Sequence, residues 1–101
     1  MTDYIKVYVG PQDCQVESAG KGHLAGAVVT CSDETSGACE LYDYAGAGPP
    51  TGPIIYAVVV NNQYEITHLF NDRYAPRFNT GLWLHLSDHC YAILWAHFPI
   101  T

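Results

Sequence analysis

The chain has 101 residues, is 49% apolar and 13% aromatic, and carries a net charge of −6 from ten acids against Lys6, Lys21, Arg73 and Arg77. That supports one folded domain, 1–101, and argues against disorder. Four dispersed basic residues cannot replace phosphate counterions, which excludes nucleic acid as a partner and disfavours anionic membranes; no apolar run approaches the roughly 18–20 residues that span a bilayer.

Turn signals recur at the short spacing of an all-β sandwich or barrel. The predicted strands, in chain order, are Tyr4–Val9, a weaker one from Asp13 to Ser18, Leu24–Cys31, Ala38–Tyr44, Ile54–Val60, Tyr64–Phe70, Thr80–Leu86 and Cys90–Phe98. The breakers between them include Gly10-Pro11, Gly20-Lys21-Gly22, Ser32 to Gly37, Gly46 to Pro53, Asn71-Asp72 and Ser87-Asp88. No window gives a clean helical stripe of apolar residues. The expected fold is therefore all-β: a single small antiparallel β-sandwich, jelly-roll-like, of seven or eight short strands. "VVVNNQYEI" reads as a hairpin turning at Asn61-Asn62, because Asn tolerates positive φ. "LHLSDHCYAI" reads as a second, with Ser87 to His89 in the turn. "YAGAGPPTGP" reads as an ordered, exposed loop.

Period two sorts the side chains of the last two strands. Leu82, Leu84 and Leu86 share one face, and Trp83 and His85 share the other. Ala92, Leu94, Ala96 and Phe98 share a face opposite Tyr91, Ile93, Trp95 and His97. Leu82, Leu84 and Leu94 are expected in the core between two sheets. The aromatic and histidine-bearing face suits burial against a partner, or cross-strand pairing beneath a loop. Trp83, His85, Tyr91 and Trp95, with Tyr42 and Tyr44 of an earlier strand, are the candidate partner-interface residues. Charged residues make up 14% of the chain, against roughly 25% in an average soluble protein. So sparse a surface suits a protein partly covered by neighbours, including copies of itself.

No catalytic constellation emerges, and the chain is read as a non-enzyme. His89 and Cys90 are adjacent, so in a strand they point to opposite faces and cannot easily form a nucleophilic pair. His23, His68, His85, His89 and His97 are scattered, and only His85 and His89 come near a ligand spacing, across a turn. In an oligomer, His89 at a tip could gather around a symmetry axis. "GAGPPTG" lacks the lysine and helix start of a phosphate loop. Asp33 and Glu34 are two carboxylates in a polar turn, too few to make a calcium site. No cofactor and no metal is expected. A carbohydrate site would use Trp83, Tyr91 and Trp95 with nearby Asn or Asp. The N-terminus "MTDYIKVYVG" lacks the segments of a signal peptide, so folding in a cytoplasm is expected. Cys14, Cys31, Cys39 and Cys90 are then expected as four free, buried thiols.

The segment from Leu24 to Ala96 resembles small virion proteins of tailed bacteriophages. The matching pieces are Leu41-Tyr42-Asp43, the small-residue and proline-rich loop Ala45–Pro53, and Phe78-Asn79-Thr80-Gly81-Leu82-Trp83-Leu84. The resemblance implies a β-sandwich serving as a structural piece of the particle, of the capsid cement or decoration type. Its partners would be other virion proteins, chiefly the major capsid protein, and further copies of itself; its place would be the virion, assembled in the host cytoplasm. The alternative is a carbohydrate- or receptor-binding module of a tail or fibre with the same fold. Within "F-x-T-G-L", Thr80 is expected to start a strand and Gly81 to give a bend or bulge. No catalytic residue carries over.

Overall fold

Alternation of side chains dictates the architecture seen in the computed structural model, which describes residues 2–17, 20–32, 36–61 and 65–98. Among these lie nine strands and no helix: β1 (Thr2–Val9), β2 (Gln12–Glu17), β3 (Gly22–Cys31), β4 (Gly37–Asp43), β5 (Ile54–Val60), β6 (Glu65–Leu69), β7 (Arg77–Phe78), β8 (Leu82–Leu86) and β9 (Cys90–Phe98). They form two antiparallel sheets. Sheet A has the order β1-β9-β3-β6, with the two-residue β7 also on β3; sheet B has the order β2-β8-β4-β5. First pairs with last, second with next to last, and so inward to β4 with β5. This nested pairing, rolled up so that β9 meets β3 and β8 meets β4, is the wiring of a jelly roll. The expected fold class holds.

The core is the space between the sheets. Leu82, Leu84, Leu86 and Leu41 from sheet B, and Leu24, Val29, Ala92, Leu94 and Ala96 from sheet A, are all fully buried there. Phe78 and Phe98 close one end at a centroid distance of 5.4 Å. Tyr56 of β5 reaches across to β6, where its hydroxyl lies 2.7 Å from His68 Nδ1 and its ring meets Phe70 edge-on. Burial pushes the Tyr56 hydroxyl up to about 12.

Both expected hairpins are corrected. β5 and β6 lie in different sheets, and so do β8 and β9. Each connection passes from one sheet to the other. The second is a tight turn in which Cys90 N donates to Ser87 O at 3.3 Å. The physical reason is the inward face on each side of the turn. A hairpin would set the leucines of β8 beside Ala92 and Leu94 in one sheet. The crossing sets them opposite each other across the core, where both faces lose water. Residues 62–64, on which part of the first expected turn falls, and Asp33 and Glu34 lie outside the described residues.

Two of the three stretches singled out by the phage resemblance meet in one clasp. The Asp43 carboxylate accepts from the backbone N–H of Asn79 and Thr80 at 2.8–3.0 Å, and from Gly81 at 3.4 Å. Tyr44 N donates to Gly81 O at 3.3 Å. Held this way, Asn79 and Thr80 form a bend, and β8 begins at Leu82 instead of Thr80.

Cysteine chemistry also differs from expectation. Cys31 and Cys90 are directly opposed register partners on β3 and β9, with Cα atoms 4.2 Å apart, and they form a disulfide. Pairing of distant strands, invisible in cysteine spacing, brings them together. Cys14 and Cys39 are free thiols. Burial, reinforced by the neighbouring Glu40 charge, pushes the Cys39 thiol up to about 12 from 9.0, and burial raises Cys14 as well. A thiol assay on denatured, unreduced protein is therefore expected to count two. On the native protein at pH 8, iodoacetamide should label Cys14 slowly and Cys39 not at all. A count of four would remove the disulfide. Cys39 is neutral in the fold up to about 12, whereas the unfolded thiol ionises from 9.0, so stability is full below pH 9 and falls as pH rises through that window.

Candidate functional site

Each sheet turns one face to the core and one outward, and register determines what the outer faces hold. On sheet B, Asp13 of β2, His85 of β8 and Glu40 of β4 fall in one cross-strand row. Gln15, Trp83 and Tyr42 fall in the next. The loop between β4 and β5 crosses this second row as a strap. Asp43 N donates to Pro53 O at 2.9 Å at its base, and Gly46 N donates to Gln15 Oε1 at 2.9 Å partway along. Gly48, at φ 82°, lies directly on the Trp83 ring, where a Cβ would come within 2.7 Å of Cζ2. Only a residue without a side chain, tolerant of positive φ, fits there.

Trp83 is consequently only 3% exposed, although it points away from the core. Tyr42 and Tyr44 stand on edge to it, with centroids at 6.0 and 6.5 Å and interplanar angles of 76°. Between strap and sheet runs an open slot of about 530 Å³, lined by Asp13, Glu40, Tyr42, Trp83, His85 and the Gly48-Pro49-Pro50 segment. His85 Nδ1 lies 2.7 Å from Asp13 Oδ1, and the Tyr42 hydroxyl donates to Glu40 Oε1 at a long 3.4 Å. Burial, and secondarily the Glu40 carboxylate, raises the Tyr42 hydroxyl. Trp83 Nε1 is buried and has no hydrogen-bond partner.

Of the six interface residues expected from sequence, four thus gather on sheet B: Tyr42, Tyr44, Trp83 and His85. Tyr91 and Trp95 lie on the outer face of sheet A, on the opposite side of the molecule, because β8 and β9 belong to different sheets. There they join residues that sequence reasoning passed over. The rows Ile5–Trp95, Val7–Ile93 and Val9–Tyr91 follow from the β1–β9 register. Gly26 extends the first row to Leu69 of β6. Ile5, Val7, Val9, Leu69, Tyr91, Ile93 and Trp95 are 36–74% exposed. Together these side chains expose on the order of 700 Å², above the roughly 300–600 Å² of the largest patch on a typical monomer. The inward positions of β1 carry Tyr4 and Tyr8, whose two hydroxyls lie 2.9 Å apart. That inversion, aromatics in and aliphatics out, gives no signal in a hydropathy count.

Two histidines read as scattered are in fact neighbours. His23 and His97 are register partners whose rings stack at 5.1 Å and 7°, with Asp72 3.3 Å from the first and Asp3 2.8 Å from the second. Cys90, weighed as a nucleophile, is in the disulfide. Among the described residues, no three His, Cys, Asp or Glu side chains converge as a metal site would require. No protein-family model, curated protein or solved structure matches this chain.

Proposed function

We propose that the chain is a virion structural protein of a tailed bacteriophage, of the capsid cement or decoration type, which docks on the particle shell through the outer face of sheet A. The observation that carries this is the exposed apolar face made by β1 and β9. Its area approaches the roughly 800 Å² that each partner contributes to a standard interface. It holds two aromatic anchors, Tyr91 and Trp95, among aliphatic side chains, the composition that dominates binding energy in interface centres.

Several features agree. Jelly-roll sandwiches recur in virus capsids, although fold alone does not decide function. The motifs that resemble phage virion proteins build the Asp43 clasp, and therefore a structural feature. Lys6 lies exposed on β1, an edge strand of sheet A, with Nζ 5.2 Å from the Tyr8 ring centroid. A lysine on an edge strand discourages strand-to-strand addition, which favours the face over the edge as the surface for docking. Partners on this reading are the major capsid protein and further copies of the chain, in the virion. The disulfide fits a protein that ends in an oxidising environment outside the host.

Ile93→Lys tests the reading. Ile93 sits at the centre of the face and is 41% exposed, so the variant should unfold within about 1 kcal/mol of the parent. Its retention on assembled particles should nevertheless fall by roughly tenfold or more, since a charge is placed where water must leave. Ile93→Lys and Trp95→Lys variants that decorate particles like the parent would rule out this face.

A further inference from the structure

The slot on sheet B lies on the face opposite the docking surface, and the proposed function leaves it unused. We infer that it is a binding site for a neutral saccharide, held between Tyr42 and the Pro49-Pro50 strap with its hydroxyls at Asp13, His85 and Glu40. Its volume of about 530 Å³ falls within the roughly 300–1,000 Å³ of small-molecule sites.

The chemistry of the walls selects the ligand. One side offers a tyrosine ring and proline methylenes, surfaces that suit the C–H face of a sugar ring. The far row offers two carboxylates that accept hydroxyl protons. Asp13 holds His85 by Nδ1, which leaves the second ring nitrogen to meet a hydroxyl. Beneath Gly48, the indole Nε1 of Trp83 is buried without an acceptor. The strap seals that nitrogen from the slot, so it takes no part in choosing the ligand. Anions, phosphate esters among them, would face Asp13 and Glu40 and are repelled. An ammonium or guanidinium would pair with those carboxylates, and competition by a cationic ligand is the outcome that separates it from a sugar. A neutral polyhydroxyl ring supplies donors and acceptors together.

The experiment is a glycan microarray of neutral, anionic and amino sugars probed with the full chain, followed by calorimetric titration of the strongest hit. Neutral glycans are expected to bind. Glu40→Gln and Asp13→Asn should each weaken the hit by roughly tenfold or more, because each loses a charge-assisted hydrogen bond. Their thermal unfolding should match the parent. Ile93→Lys, on the other sheet, should bind the same glycan unchanged, so failure of the docking reading and failure of this one are separable. Four results overturn the inference: no neutral glycan bound, a preference for anionic or amino sugars, binding indifferent to both carboxylate substitutions, or displacement of the glycan by Nα-acetyl-lysine N-methylamide, whose free ε-ammonium would assign the slot to a cationic side chain.

Discussion

Leu84→Ala is expected to lower the unfolding free energy by about 2–5 kcal/mol, a large share of the roughly 5–15 kcal/mol that holds a typical domain folded. Leu84 is fully buried at the centre of β8, flanked in register by Cys14 of β2 and Leu41 of β4. Its side chain faces sheet A, where Leu94 and Ala92 are likewise without exposure. Truncation removes apolar contact on both sides of the core. Neighbours fixed in two hydrogen-bonded sheets cannot collapse fully into the space. Urea unfolding followed by far-UV dichroism gives the number. A loss below about 1 kcal/mol would mean that the two sheets close over the gap, and that the core is less tightly packed than the burial of its leucines implies.

That burial was legible because period two is local: the leucine stripe of "LWLHL" fixes which side chains share a face without reference to any partner strand. What a stripe does not contain is the identity of the partner. A hairpin and an arch have the same alternation and the same Ser-Asp-His turn, so Trp83 and Trp95 read as one aromatic surface when they lie on opposite sides of the sandwich. Trp83 shows a second gap between pattern and structure. It faces outward, as alternation requires, yet the strap between β4 and β5 covers it. The long-range hydrogen bond from Gly46 N to Gln15 Oε1 ties that strap to β2. The patch on β1 escaped for the opposite reason. In "YIKVYV" both parities carry apolar side chains, and hydropathy would turn Ile5 and Val7 inward. The tyrosines go in because the edge of sheet A leaves room for their rings, with Tyr4 meeting Phe98 edge-on at 6.2 Å.

Removing the disulfide as the pair Cys31→Ala/Cys90→Ala is expected to cost about 4 kcal/mol, from the chain entropy that a loop of this length withholds from the unfolded state. The bond closes a separation of 59 residues and joins β3 to β9, the central pair of sheet A. It ties the middle of the chain to its end, so without it the unfolded chain gains most of its long-range freedom. Both cysteines are nearly inaccessible, and Gly37 at the start of β4 packs against their sulfur atoms, leaving no room there for a side chain. Reductant should therefore act on the native protein only as fast as the fold opens. Two small apolar alanines refill part of the same core position, so the double variant should still fold to the same two sheets. Guanidinium titration of the parent, the double variant and the reduced parent separates the contributions. The variant and the reduced parent should share a midpoint well below that of the oxidised protein, with similar slopes. A double variant within about 1 kcal/mol of the parent would show that the β3–β9 ladder already holds these residues together in the unfolded ensemble. The bond would then not be what keeps the protein folded.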